Sequence, residues 1–458
     1  MAGIGFELRK LLDRETYTGL FQAYAYAGII SAGPWVLSIQ AILVIGALSY
    51  ALVSPDYLIN QFQVSVTYLM VGSLILTGLI QLAFTRFVAD RLFERKLDWV
   101  MPNFTGCLFL VVVASGVIGT ALVLALFPEQ SDLYRVLMLA GFVITCCIWT
   151  ATIFLSGLKR YLEIFGIYLI GYAITVAAAL GLRGLGLEGL LLGFVIGHFV
   201  LLTGMITLTL REYPSSRLIS FEFLEKRAMY VSLVGCGFIY HLAVWVDKIM
   251  FWYYPETSVQ VIGPLRASPI YDLPIFLAYL AIIPGMAVFL VEMETQFSDA
   301  FRKFYDAVRE GATLERIETL RDEMVHTIRG GLFEIVKIQS ISVLVVFVVG
   351  PWVLERMGIS AAYVPLLYVD VIAASLQVLL LAILTIFYYL DKRRVVLLLT
   401  STCLLLNIVL TGITLQLGVP FYGYGFAIAL LATVVLSMVF MEKKLATLEY
   451  ETFMLQRT

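Results

Sequence analysis

The stretch Phe104–Phe127, FTGCLFLVVVASGVIGTALVLALF, contains no charged residue. A bilayer core of roughly 30 Å is crossed by about 20 helical residues, so this run is long enough to span it. Comparable runs lie on both sides. Phe21–Tyr50 and Val64–Arg86 precede it, and Tyr134–Gly157, Ile164–Leu182 and Leu187–Leu210 follow. Beyond a polar stretch, 211–228, come Met229–Tyr253, Ile270–Val291, Leu332–Leu354, Tyr363–Leu390, Val395–Leu417 and Tyr422–Met441. The expectation is an all-α integral membrane protein of about twelve transmembrane helices. With 61% hydrophobic and 14% charged residues, an ordinary soluble surface is excluded. The net charge of -2 says little about partners, and there is no general nucleic-acid signal.

The placement of Lys and Arg tests these spans independently, because cytoplasmic loops of membrane proteins retain them. They alternate. One side holds the groups around Arg9, Arg91, Lys159, Arg217, Arg302, Lys392 and Lys443, while the other has Arg135, Arg183, Arg266 and Arg356 standing singly. That pattern predicts both termini in the cytosol. Residues 1–20 read as an interfacial helix with Arg9, Lys10 and Arg14 set among leucines, and 442–458 as a cytosolic tail. A cleavable signal peptide is not expected, since the apolar run that follows is long enough to span. Cys107, Cys146, Cys147, Cys236 and Cys403 all fall in apolar stretches without metal-ligand spacing and read as packed free thiols.

An ionisable side chain inside a span costs a few kcal/mol, so each one asks for a cavity, a partner or a function. The seventh span is the richest, with Tyr240, His241, Trp245, Asp247 and Lys248. His241, Trp245 and Lys248 follow i, i+4, i+7 and predict a basic, aromatic stripe. Asp247 points about 100° from Lys248 on an ideal helix and should need another partner. The first span offers Tyr24, Ser31, Trp35 and Gln40, with a bend expected at Pro34. Polar, kinked segments in corresponding helices of two halves point to a transporter's path, and these residues are the candidate lining. Pro284 predicts a second bent helix. His198, Asp272, Lys337, Asp370, Gln377 and Asn407 are isolated and read as packing or interface residues.

The largest segment outside the spans, 294–331, has helical apolar spacing on both sides of Gly311 and predicts an amphipathic hairpin. It lies either on the bilayer or against a cytosolic partner through Phe297, Phe301, Phe304 and Leu320. No nucleotide-binding loop, zinc motif, nucleophile elbow or loop carboxylate cluster is present, so catalytic residues, cofactors and metals are not expected.

Met1–Leu12, MAGIGFELRKLL, and Ser31–Trp35, SAGPW, resemble the PelG-type membrane protein of Pel exopolysaccharide biosynthesis. That family looks like a branch of the multidrug/oligosaccharidyl-lipid/polysaccharide (MOP) flippase superfamily. The resemblance implies two six-helix lobes, 21–210 and 229–441 here, that alternate access around a central cavity. It also implies export of a cationic, amino-sugar polysaccharide or its lipid-linked precursor across the bacterial inner membrane for biofilm matrix. The implied partners are a cytosolic glycosyltransferase, a repeat-containing membrane protein and a cyclic-di-GMP receptor. A basic stripe in the seventh span fits a cationic cargo poorly. Two other readings stay open: a cation-coupled antiporter of the same superfamily, and a scaffold anchoring a cytosolic polymerase through 294–331.

Overall fold

The computed structural model describes residues 8, 10, 16–49, 55, 57–157, 161–225, 230–356 and 360–454. The interfacial helix expected over 1–20 lies mostly outside them. The first helices are α1 Tyr17–Ser49, α2 Tyr57–Phe93, α3 Val100–Leu126, α4 Asp132–Gly157, α5 Tyr161–Leu182, α6 Gly186–Glu212 and α7 Val231–Tyr253. A short antiparallel hairpin of β1 Val259–Ile262 and β2 Leu265–Ala267 follows. Next come α8 Pro269–Leu280, α9 Ile283–Val291, a π-turn Glu292–Phe297, α10 Ser298–Glu310 and α11 Leu314–Arg356. The last four are α12 Val364–Tyr389, α13 Arg393–Leu417, α14 Tyr424–Ala446 and α15 Leu448–Met454.

Among the described residues, nine helical stretches are long and apolar enough to cross a membrane by length and composition, or up to eleven when each of two bent pairs is one span. One of the nine, Leu162–Glu212, turns back on itself at Gly186, whose φ of 68° and ψ of -138° suit only glycine. A Cβ at Gly193 would strike the backbone of Ala179, and one at Gly197 the Thr175 side chain. α5 and α6 therefore lie antiparallel with their backbones nearly touching. In lipid such close approach replaces the hydrophobic drive between helices.

Packing forms two compact units. The central unit is Gly33–Pro269, and the terminal unit combines Met1–Ala32 with Ile270–Thr458. These bounds differ from the lobes expected from span order. The reason is local: α7 packs along α2 through Gly78 and Gly237, and α1 changes unit just before Pro34, where it bends. In the central unit Phe84, Phe104, Phe154, Tyr168 and Met205 build one end of the core, and Phe62, Leu190 and Phe194 the other. In the terminal unit α12 is buried along most of its length and packs against α11 and α14.

Gly311 ends α10 in the left-handed region, at φ 71°, so the hairpin expected at 294–331 forms. Its second arm does not stop, however. α11 runs unbroken for 43 residues, about 65 Å at 1.5 Å per residue, and includes the span expected at Leu332–Leu354. The arginines that stand singly are each tied to their own chain. Arg135 donates to the carbonyls of Pro128 and Gln130, and Arg183 to that of Leu48 at the end of α1. Arg266 donates to Ser258 Oγ, and Arg356 lies 5.2 Å from the Trp352 ring.

α15 is clamped where the basic loops gather. Glu451 accepts from Lys392 and from Lys444 (2.6 Å), and Glu449 meets Arg321 at 3.1 Å. Burial pushes the Glu451 carboxyl up, but the hydrogen bonds from Lys392 and Lys444 outweigh it and hold the group below its ordinary value. The clamp is thus complete above the usual carboxylate range and is lost as pH falls through the lowered value. Glu451→Gln should speed proteolysis of the C-terminal helix about fivefold at neutral pH. It should also remove the acid-induced rise expected of the wild type. Equal cleavage of both proteins at pH 7 would rule the clamp out.

Candidate functional site

In the central unit the seam between α2 and α7 holds a polar ladder. Ser73 accepts from Trp149 Nε1 (3.0 Å), Thr77 donates to the Ser73 carbonyl (2.7 Å), and Gln81 Nε2 donates to Thr77 Oγ1 (2.8 Å). Gln81 Oε1 then meets His241 Nε2 at 3.2 Å. The two helices come this close because Gly78 and Gly237 face one another: a Cβ on Gly78 would lie 2.9 Å from the Gly237 carbonyl and from His241 Cδ2. His241, expected on a path-facing stripe, therefore spends one nitrogen inside the seam.

Lys248 and Asp247 correct a second expectation. Lys248 Nζ lies 3.1 Å from Asp247, and their side chains are 3% and 0% exposed. Helical spacing fixes where the two Cβ atoms point, but the four-carbon lysine stem curls back to its neighbour and also donates to the Val244 carbonyl (2.9 Å). The stripe is thereby neutralised rather than basic. Trp245 stands beside Trp252, which packs on Tyr68, and both Trp245 and Tyr240 remain half-buried.

In the terminal unit the break falls at Ala281–Ile282, between α8 and α9, which are bent by 40°. Pro284 sits in the first turn of α9, where its missing N–H costs nothing. The orphan N–H of Gly285 is taken up by Gln339 Oε1 of α11 (3.1 Å), whose Nε2 donates to Ser375 of α12 (3.1 Å). On the other side of the break Tyr279 donates to Gln377 (2.9 Å). A broken helix in lipid needs such partners, because no water satisfies the freed groups. Gln339→Leu would strand the Gly285 N–H at a cost of about 1–3 kcal/mol. Thermal unfolding of the purified chain should show it, and an unchanged melting temperature would mean that the bridge is absent.

Glu292 opens the π-turn after α9 and is 4% exposed. Its carboxylate accepts from Gln296 (3.2 Å) and rests against Gly331. Tyr24, half-buried on α1, lies within the electrostatic reach of Glu292 and Glu334. Ser31 is half-buried and Gln40 exposed, whereas the side chain of Trp35 lies outside the described residues. Phe297, Phe304 and Leu320 are buried in the terminal unit, and Phe301 is half-buried against Tyr389 and Tyr305. The apolar stripe expected to dock a partner is thus covered by the chain's own helices.

Gln81, Gln339, Ser375 and Glu292 escaped the sequence reading. Lone uncharged amides give no motif, and Glu292 falls at the edge of a span. Of the isolated polar residues, His198 bonds the Phe194 carbonyl (2.9 Å), Asn407 accepts from Thr411 (2.8 Å), and Lys337 pairs with Glu334 at the surface. All five cysteines are buried, and none is in a disulfide. Among the described residues no group of three or more His, Cys, Asp or Glu is placed to hold a metal ion.

An outward-facing multidrug-resistance MATE transporter of the MOP superfamily superposes with a TM-score of 0.68 at 12% identity, covering 93% of this chain and 96% of the other. A Vibrio cholerae MATE transporter variant gives 0.67 at 12% identity over 97% and 98%. A MOP superfamily transporter from Pyrococcus furiosus gives 0.65 at 12% over 93% and 96%. The fold is accordingly that of MATE/MOP transporters. Comparison with curated proteins finds no match. Residues 1–453 match the family described as "PelG: Putative exopolysaccharide Exporter (EPS-E)". With nearly the whole chain matched, and apolar helices arranged as in MATE/MOP transporters, this membrane transporter belongs to the PelG exopolysaccharide exporter family.

Proposed function

We propose that the chain exports an amino-sugar polysaccharide, or its lipid-linked precursor, across the bacterial inner membrane by alternating access, with both termini in the cytosol. The family match supports the substrate class. The observation that carries the mechanism is the pair of bent helices, α1 at Pro34 and α8–α9 at the Gln339 bridge, since discontinuous helices form the binding segments of many transporters. The proposed topology keeps the twelve spans expected from hydropathy, with the α5–α6 hairpin taken as two crossings and each bent pair as one. Tyr24, Ser31, Trp35, Gln40, Tyr240 and Trp245 are the proposed lining. Pairing of Lys248 with Asp247 supports a cationic cargo, because it removes the positive charge that counted against one. A cytosolic glycosyltransferase, a repeat-containing membrane protein and a cyclic-di-GMP receptor are the proposed partners. They would meet the polar faces of α10 and α11, which carry the exposed Arg302, Lys303 and Glu315.

The test is secreted polysaccharide from cells lacking this chain, complemented with wild type or with Tyr24→Ala, Gln40→Ala, Tyr240→Ala or Trp245→Ala at matched protein level. Lining variants should lower secretion while the partners still assemble. Full secretion from all four would overturn the path and favour a scaffold.

A further inference from the structure

The central unit contains a cavity of about 290 Å³ between α2, α3 and α7, and its lining is almost wholly apolar. Leu79 and Ala83 of α2, Ala114 of α3 and Val234 of α7 form its walls, and Phe223 and Leu224 close its floor. Thr77 is the one polar side chain among the lining residues, and its hydroxyl donates to the Ser73 carbonyl. Nothing here would hold water or a sugar. An empty apolar space forfeits dispersion contacts along its whole wall. Leu79 and Leu224 remain 40% and 43% exposed, so the cavity opens sideways.

The floor is a strap. Ser215 Oγ donates to the Asp98 carbonyl (2.9 Å), and Ser220 N–H to the Pro102 carbonyl at the start of α3 (2.9 Å). Gly106 has no Cβ to collide with the Ser220 carbonyl. Phe223 is inserted edge-on against Phe84 at 5.4 Å. Beside this insertion Leu218 is left 86% exposed, and Arg217 stacks 4.1 Å from Trp99. Arg86 stands seven residues along α2 from Leu79, on the same face and about 10 Å further toward the basic loops. Its side chain is 44% exposed, with Nε 3.2 Å from Asp90.

We propose that the groove holds one acyl chain of a phospholipid from the leaflet at the basic end of the helices, with its phosphate against Arg86. The strap 215–224 ends the groove and rests its own apolar side chains, Leu218 foremost, in the same leaflet. The apolar wall selects an alkyl chain, and the cation at headgroup distance selects an anionic head.

Native mass spectrometry of the full chain tests this after delipidation and titration with phosphatidylglycerol. The wild type should retain one lipid. Ala83→Phe and Ala114→Phe, which fill the groove, should weaken retention at least fivefold. Arg86→Gln should weaken phosphatidylglycerol but not diacylglycerol. Because a filled groove could misfold, wild-type chain should also be crosslinked with phosphatidylglycerol bearing a diazirine in its acyl chain. Crosslinks concentrated at 79–84 and 110–114 support the site. Crosslinks spread evenly over lipid-facing positions such as Val117 and Val345, equal retention by the filled variants, or retention of isoprenoid phosphate alone would overturn it.

Discussion

Asp247→Ala should destabilise the chain by about 3–5 kcal/mol, the usual cost of removing one partner of a buried ion pair. Asp247 and Lys248 are almost fully buried, and their charged atoms are 3.1 Å apart. Taking away the carboxylate removes the anion 3.1 Å from a buried ammonium that also donates to the Val244 carbonyl. Replacing both residues, as in Asp247→Leu with Lys248→Met, should recover most of the loss, because the net worth of such a pair against apolar side chains is small. Thermal unfolding in detergent and the yield of monodisperse protein would measure both. A single variant that melts with the wild type would mean that Lys248 is not held by Asp247.

Gly237→Leu should cost about 3 kcal/mol or more and sever α2 from α7. A Cβ there would run into the Gly78 carbonyl, which is backbone and cannot turn aside, and would lie 3.6 Å from Leu82. The helices would have to separate, and the Gln81–His241 contact at 3.2 Å would open with them. Gly237→Ala should fall between. Gly116→Leu is the control, since a Cβ at Gly116 has nothing within 4 Å, and it should melt within a degree or so of wild type. Equal melting of Gly237→Leu and Gly116→Leu would remove the close crossing from the account.

Much of the helical plan was legible in the sequence because lipid imposes a length and a polarity on every crossing. Phe104–Phe127 read as a span lies within one residue of the end of α3, and Gly311 marked the turn of the amphipathic hairpin correctly. Pro34 and Pro284 marked the two bent helices. The eighth helix breaks before Pro284, however, and what satisfies the break is an amide from α11. No local pattern announces Gln339, because its role depends on a neighbour more than fifty residues away in the chain.

The candidate site divided along the same line. Composition, periodicity and the placement of basic residues determined a polytopic membrane chain, and the opening motif its resemblance to PelG, since these are properties of single segments against a common solvent. Tertiary structure decided which polar residues face one another. It paired Lys248 with Asp247, gave His241 to Gln81, and buried Phe297 and Phe304 in their own unit. It also joined α7 to α2 through two glycines. A sequence specifies the direction of each Cβ on its helix, but the partner of a flexible side chain and the approach of two backbones are set only once the helices pack.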